Sequence, residues 1–263
     1  MRFGICAPFQ QAAALHTLSF DYLEENVQRF LCPEETQEAF EALWQAAHQL
    51  SVPIEAANSF FPATLPLIDT PTRRADSARI ARYVKTALQR AEQVGIKLIV
   101  FGSGNARACP EGVSKDSALQ QLGEYLITWN EWGKQHGVEI VLEPLRYEET
   151  NILNTVAECG TFVTHLENSN VKVLVDTYHM AYNEEDTSSI LPYIQRVAHV
   201  HVAEKEDRAA PGQRGFDFRP YFSALQAGHY NRRISVECHW GDFTTEVEQA
   251  IATLHMQWGA ATT

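Results

Sequence analysis

Short apolar runs alternate along the chain with longer amphipathic stretches. The run at residues 171–176 is rich in β-branched side chains, which is typical of a strand buried on both faces in a parallel sheet. The runs predicted to be strands are residues 2–6, 22–27, 53–57, 97–101, 138–143, 171–176, 197–203 and 233–238. The stretches predicted to be helices are residues 33–50, 73–94, 115–136, 154–167, 188–196, 218–227 and 245–258.

This repetition of a strand followed by a helix predicts parallel strands joined by right-handed crossovers. Eight predicted strands in 263 residues, seven of them followed by a predicted helix, fit the α/β fold class and, within it, a (β/α)8 TIM barrel. Gly95 and Gly137 mark the expected ends of two long helices. Because no linker or low-complexity tract divides the chain, we expect a single TIM-barrel domain over residues 1–263.

Polar side chains close the strands of the second half of this barrel. Glu143, Asp176, His201 and Glu237 each lie at or near the end of an apolar run. Side chains alternate along a strand, and the register of each run turns all four of them toward the lumen. Active sites of such barrels lie at this carboxyl-terminal rim. The sequence therefore predicts one site built from four strands.

Three converging carboxylates would repel each other, and a divalent cation removes that repulsion. A set dominated by oxygen ligands favours Mn²⁺ or Mg²⁺, with Co²⁺ or Zn²⁺ as alternatives. The competing interpretation is that each acid lines the barrel and is held by an arginine or a lysine. We expect one divalent metal ion, because all four groups point the same way.

The motifs around these residues are Ala56-Ala57-Asn58-Ser59-Phe60-Phe61-Pro62, Glu143-Pro144-Leu145, Glu149-Thr150-Asn151, Asp176-Thr177-Tyr178-His179-Met180, His199-Val200-His201 followed by Arg208, and Val236-Glu237. Together they resemble the motifs of the xylose-isomerase-like TIM-barrel superfamily of sugar isomerases and epimerases, over nearly the whole chain. The chain departs from the usual pattern at Arg146-Tyr147-Glu148, where the family has Asn-Arg-aromatic.

The resemblance implies that Glu143, Asp176, His201 and Glu237 bind one metal ion. The closest mechanistic match is the ketose 3-epimerases. By that match, Glu143 and Glu237 would lie on opposite faces of a substrate carbon and act as an acid/base pair, so that a proton is removed and returned through an enediolate.

The same resemblance assigns the substrate contacts. His179, Arg208 and Glu149 would bind the oxygens of a small sugar, with Arg208 as a fixed positive donor near the enediolate. The identity of the sugar, its phosphorylation state and the choice between epimerisation and aldose–ketose isomerisation are left open.

Other functions remain as alternatives. A hydroxypyruvate or inosose-type isomerase or dehydratase would use the same scaffold. An AP endonuclease is disfavoured, because the predicted first four strands contain no histidine and the net charge of −12 is wrong for DNA. A non-catalytic sugar-binding barrel is disfavoured by the pair of glutamates, since binding alone needs no acid/base pair.

Composition adds the expected setting. Five dispersed cysteines without a CxxC pair indicate reduced thiols and a cytoplasmic protein. We expect no signal peptide, no membrane-spanning segment and no nucleic-acid partner. A homo-oligomer is left open.

Some further residues carry two interpretations each. Gly102-Ser103-Gly104 is either a backbone nest for phosphate or, as we favour, a tight turn. Glu25 lines the site or lies at an exposed edge. Phe60-Phe61-Pro62 is a lid over the substrate or a packed loop. His199 is expected to line the lumen and not to be a ligand.

Overall fold

The computed structural model describes residues 1–166 and 170–261 of the chain. Within these ranges, parallel strands close into a barrel in sequential order, and the last strand pairs with the first. The strands are β1 (Arg2–Cys6), β2 (Tyr22–Asn26), β3 (Ile54–Asn58), β4 (Leu98–Phe101), β5 (Glu139–Leu142), β6 (Lys172–Asp176), β7 (Val197–Val202) and β8 (Arg233–Val236). The predicted TIM barrel is confirmed, because the strand order β1 to β8 is that of a (β/α)8 barrel.

Helices follow most of the strands. They are α1 (Phe9–Ala13), α2 (Gln37–Ala47), α3 (Ser77–Val94), α4 (Gly104–Arg107), α5 (Lys115–His136), α6 (Val156–His165), α7 (Thr177–Tyr182), α8 (Arg219–Ala227) and α9 (Phe243–Ala260). Gly95 and Gly137 end α3 and α5 in the left-handed region, with φ of 96° and 66°, as predicted. The helix predicted over residues 154–167 corresponds to α6, and its last residue, Glu167, lies outside the described residues.

Three predicted helices differ from the observed ones. The helix predicted over residues 73–94 begins at Ser77, with Asp76 as its N-cap. The helix predicted over residues 33–50 begins later, because Thr36 acts as its N-cap and its hydroxyl accepts a hydrogen bond from the Ala39 N–H at 3.3 Å. The stretch 188–196 forms short 3₁₀ segments, Thr187–Ser189 and Leu191–Arg196, instead of an α-helix. Pro192 lies at the start of the second segment, where it supplies no backbone N–H.

A small apolar layer fills the lumen of the barrel. Its side chains are those of Tyr22, Ala56, Leu98, Val100, Val141, Leu174 and Ala198. Val141 and Leu174 belong to this layer, and alternation along a strand places them on the same face as Glu143 and Asp176, two residues later. This layer fills the lumen beneath the rim where polar side chains collect.

The loop after β3 packs into the outer core. The rings of Phe60 and Phe61 are buried, and their centroids lie 6.0 and 5.0 Å from that of Trp129 on α5. The hydroxyl of Ser103 accepts a hydrogen bond from the Phe61 N–H at 2.9 Å. These rings are already in contact with the core, so the packed-loop interpretation is correct and the lid interpretation is wrong.

In the described part of the chain, none of the helices combines the length and apolar composition needed to cross a lipid bilayer.

We predict that Gly4→Ala destabilises the barrel. A Cβ at Gly4 would lie 2.4 Å from the ring of Tyr22, which is fully buried in the lumen and has little room to move. Overpacking of this kind costs about 1–3 kcal/mol of the free energy of unfolding, measurable by urea denaturation.

The matched control is Gly259→Ala in α9, where a new Cβ would meet none of the described atoms within 4 Å outside its own helix. This control is expected to be neutral or to stabilise the protein by up to about 1 kcal/mol. Equal stability of Gly4→Ala and the wild type would contradict the close packing of β1 against Tyr22.

Candidate metal centre and active site

Four of the predicted site residues meet at the carboxyl-terminal rim of the barrel. Glu143 follows β5, Asp176 ends β6, His201 lies in β7 and Glu237 follows β8. Each offers one potential ligand atom, and these atoms all lie within 4.8 Å of one another. The first three side chains are buried, while the side chain of Glu237 is 22% exposed. The strand ends therefore bring the four groups to one place.

His201 lies between the two glutamates. Its Nδ1 is 3.2 Å from Glu143 Oε1 and 3.3 Å from Glu237 Oε2. The other oxygen of Glu237 accepts a hydrogen bond of 3.4 Å from the side-chain amide of Asn58 on β3. Arg208, in the loop after β7, donates from Nη2 to Glu237 Oε2. One guanidinium thus offsets part of the negative charge of the cluster.

Asp176 has one satisfied oxygen and one unsatisfied oxygen. Oδ1 accepts hydrogen bonds from the backbone N–H groups of Tyr178 and His179, at 2.7 and 3.2 Å, and so caps α7. Oδ2 is buried and accepts no hydrogen bond from the described residues. Arg208 Nη2 lies 4.0 Å from it. A buried carboxylate oxygen without a donor needs an explanation, and a bound cation would supply one.

Burial and neighbouring charges shift the pKa values of these acids in different directions. Burial raises the pKa of Glu143 above its ordinary value, although His201 opposes the shift. Burial also raises the pKa of Asp176, to about 6, against the effect of Arg208. Burial alone would raise the pKa of Glu237, but Arg208 and His201 outweigh it and lower this pKa to about 2. The two carboxyl groups of Glu143 and Glu237 therefore differ in proton affinity.

The predicted substrate contacts surround this cluster at two distances. His179 is buried next to Asp176, and its Nδ1 accepts a hydrogen bond from the Arg146 backbone N–H at 3.2 Å. Arg208 lies against Glu237, with its guanidinium 4.7 Å from the centre of the Tyr178 ring. Glu149 is farther out and partly exposed, in an ion pair of 2.7 Å with Arg146. His179 and Arg208 thus contact members of the cluster, whereas Glu149 is paired with Arg146.

Glu24, on β2, also faces the cluster, although none of the sequence motifs indicated it. Its carboxylate is buried in the lumen, 2.9 Å from His201 Nε2 and 2.8 Å from His199 Nε2. The neighbouring Glu25 lies on the opposite face of β2, where it is buried and accepts hydrogen bonds from the backbone N–H groups of Phe9 and Asn26. Both predictions for Glu25, a site-lining residue or an exposed edge residue, are wrong. Its pKa is raised to about 7 by burial.

Alternation along β2 was the available clue to Glu24. Tyr22 lines the lumen, and the residue two positions later shares its face. His199 lines the lumen beside Glu24, as predicted.

The loop after β4 makes room for the site. A Cβ at Gly102 would lie 2.2 Å from Glu143 Oε2, and a Cβ at Gly104 would lie 2.4 Å from the backbone oxygen of Glu149. The backbone of this loop therefore packs closely against the segment that follows β5. This contact favours the tight-turn interpretation of Gly102-Ser103-Gly104 over a phosphate nest.

Comparison with known proteins gives one family and several sugar epimerases. The chain is 30% identical over 171 residues to an L-ribulose 3-epimerase from Methylomonas sp. (strain DH-1), covering 64% of this chain and 56% of that protein. It is 26% identical over 163 residues to a 3-dehydro-D-guloside 4-epimerase from Escherichia coli (strain K12), covering 59% and 62% respectively. The chain thus spans little more than half the length of these curated relatives.

Solved structures share the fold over nearly the whole chain. The structure of an L-ribulose 3-epimerase has a TM-score of 0.81 at 20% identity, covering 99% of this chain and 95% of the other. A D-allulose 3-epimerase from Methylomonas sp., in complex with D-allulose, has a TM-score of 0.78 at 20% identity, with 98% and 97% covered. The model of the xylose isomerase-like TIM barrel matches residues 12–257, and the chain therefore belongs to that family.

Proposed function

We propose that this protein is a divalent-metal-dependent isomerase or epimerase of a ketose or related hydroxy-ketone, which removes and returns a proton through an enediolate. The observation that carries the proposal is the convergence of Glu143, Asp176, His201 and Glu237 at one rim, with ligand atoms within 4.8 Å. The matched relatives, which act on L-ribulose and 3-dehydro-D-guloside, support the same class of substrate.

The chemistry of the donor set fits a divalent cation. Three carboxylates and one imidazole would hold Mn²⁺ or Mg²⁺, with Co²⁺ or Zn²⁺ as alternatives. Asp176 Oδ2 accepts no hydrogen bond from the described residues and lies 3.6 Å from His179 Nε2, so it is available as a ligand atom. A bound divalent ion would supply Lewis-acid polarisation of a substrate carbonyl, which acidifies the adjacent C–H bond.

The two glutamates would carry the proton. Epimerisation inverts a carbon, so one group must remove the proton from one face and another must return it to the opposite face. Glu143 and Glu237 are suited to these roles because they come from different strands, β5 and β8, and approach the cluster separately.

The surrounding residues would bind the sugar oxygens. Arg208 carries a fixed positive charge beside Glu237, where negative charge develops on an enediolate. We propose that His179 binds a hydroxyl near the reacting carbon and that Glu149 binds one farther along the sugar.

The proposal also covers the domain organisation, the cellular compartment and the alternative substrates. We propose that residues 1–263 form one domain acting on a small sugar in the cytoplasm. The cysteines at positions 6, 32, 109, 159 and 238 are free in the described structure, which supports a reducing compartment. A hydroxypyruvate or inosose-type isomerase or dehydratase on the same scaffold would be recognised by activity on those substrates and not on ketoses. Whether the protein forms a homo-oligomer stays open.

We predict that Asp176→Asn abolishes metal binding without unfolding α7. The asparagine oxygen can still accept the N–H groups that Asp176 Oδ1 accepts, while an NH₂ group replaces the free oxygen. Mn²⁺ affinity, measured by isothermal titration calorimetry, should fall by at least about 100-fold, since even losing a partner of a metal ligand costs 10–100-fold.

Asp186→Asn is the matched control. Asp186 also caps a short helical segment, through a hydrogen bond of 2.8 Å from the Ser188 N–H, but it lies outside the cluster. Its substitution should leave Mn²⁺ affinity unchanged. Wild-type affinity in Asp176→Asn would contradict the proposed ligand set.

We predict that Glu143→Gln and Glu237→Gln each abolish proton exchange at the reacting carbon. A carboxamide keeps the shape of the side chain but cannot carry a proton, so deuterium incorporation from D₂O into a panel of ketoses should fall by about 10²–10⁴-fold. The panel would include L-ribulose, D-allulose and D-fructose, with NMR as the readout.

Glu139→Gln, at the other end of β5, is the control and should exchange at the wild-type rate. Chelation should stop exchange by the wild type, and added Mn²⁺ should restore it. Exchange at the wild-type rate in both glutamine variants would disprove the acid/base roles.

A further inference from the structure

We propose that Glu24 is a positioning residue that fixes the tautomer and the ring orientation of His201 for metal binding. This inference rests on the proposed metal site. Glu24 lies on β2, on the other side of the barrel from β7, and its side chain is fully buried. One oxygen, Oε1, is 2.9 Å from His201 Nε2, and the other, Oε2, is 2.8 Å from His199 Nε2.

The direction of these contacts determines which nitrogen of His201 is available. An ionised carboxylate only accepts hydrogen bonds, so the Nε2 that faces Glu24 must carry a hydrogen. In the neutral imidazole the other nitrogen, Nδ1, then keeps its lone pair. This is the nitrogen that faces Glu143 and Glu237. Metal-binding histidines are commonly held in this way, with the second ring nitrogen donating to a carboxylate.

Glu24 is itself held in place by a hydrogen-bonded chain across the lumen. The hydroxyl of Ser235 on β8 donates to Glu24 Oε2 at 2.7 Å. The hydroxyl of Tyr22 lies 2.8 Å from the Ser235 hydroxyl. These partners restrain Oε2, which leaves Oε1 aimed at His201. A carboxylate with partners on both oxygens has few ways to rotate, and the ring that it holds is equally restrained.

The alternative interpretation of Glu24 is that it is a ligand of a second metal ion. Cys6, Glu24 and His201 also offer ligand atoms within 4.8 Å of one another. However, Glu24 Oε1 and His201 Nε2 are at direct hydrogen-bond distance, 2.9 Å, and an ion between them would have to separate them. The structure therefore favours a hydrogen bond here, with the metal on the Nδ1 side.

The test compares Mn²⁺ binding by the wild type, Glu24→Gln and Glu25→Gln. Glutamine keeps the volume of Glu24, but its single acceptor oxygen cannot serve both imidazoles as a carboxylate does. Affinity measured by calorimetry should fall by about 10–100-fold in Glu24→Gln, with one ion bound per chain in the wild type. Glu25→Gln is the same substitution one residue away, on the face that does not contact His201, and its affinity should be unchanged.

A second readout separates positioning from a general loss of structure. In the Mg²⁺-loaded wild type labelled with ¹⁵N-histidine, NMR should show a protected Nε2–H proton for His201. This proton should exchange with solvent in Glu24→Gln, while urea unfolding of the metal-free variant shows that the barrel is intact.

The outcomes distinguish this inference from the proposed function. If the wild type binds Mn²⁺ and Glu24→Gln binds it equally well with the same His201 proton signal, the positioning role is wrong and the metal site stands. If the wild type binds two ions and Glu24→Gln binds one, Glu24 is a ligand of a second site and the inference is overturned. If the wild type binds no divalent ion, the proposed function and this inference fail together.

Discussion

The structure depends on the presence of three carboxylates and an imidazole in one small buried volume. Like charges at this distance, away from bulk water, repel strongly and also lose hydration. Arg208 offsets one negative charge. A divalent cation would complete the neutralisation. The barrel must therefore hold these groups together against a force that favours their separation.

Closure of the sheet into a barrel allows the strands to hold the repelling carboxylates together. The carboxylates come from β5, β6 and β8, so no local turn could assemble them, and the pairing of β8 with β1 holds the last strand in register. Backbone hydrogen bonds along the strands resist any sideways movement of their ends. The stability of the whole barrel thus opposes the repulsion within the cluster.

The lumen supports the cluster from below. An apolar layer that includes Val141 and Leu174 fills the interior, and a polar chain of Tyr22, Ser235 and Glu24 links it to His201. Buried polar groups of this kind are costly unless each finds a partner, and here the members of the chain satisfy one another. Tyr22, Ser235 and Glu24 would thus fix both the orientation and the position of the His201 ring.

The sequence predicted the direction of a strand residue only where the apolar pattern of its own segment was clear. The positions of Asp176 and Glu237 followed from clear apolar runs and from the alternation of side chains along a strand. The role of Glu24 did not, because β2 contains two adjacent glutamates and its pairing with β3 is irregular between Leu23 and Glu24. Which glutamate faces inward is decided by that pairing, and the pairing involves residues distant in sequence.

Helix α7 was missed for a related reason. Its six residues are too few to show an amphipathic period, and its start is fixed by the side chain of Asp176 accepting two backbone N–H groups. The burial of Phe60 and Phe61 was equally hidden, since their direction is set by contact with Trp129 on a helix far along the chain.

The placement of Arg208 shows how the charge balance depends on a loop as well as on the strands. Asp207 and Arg208 both adopt left-handed backbone conformations, with φ of 59° and 51°, which non-glycine residues seldom occupy unless their surroundings impose it. Glu204, fully buried, accepts hydrogen bonds from the Gly212 and Arg214 N–H groups, and the His239 N–H donates to the Arg208 carbonyl at 2.8 Å.

These contacts impose the turn that carries the guanidinium to Glu237. Without these contacts the loop would relax and the Arg208 guanidinium would move away from Glu237. The carboxylates would then repel one another more strongly. Glu204 in the loop therefore stabilises the acidic cluster indirectly. It holds the left-handed turn at Asp207 and Arg208 that places the Arg208 guanidinium beside Glu237.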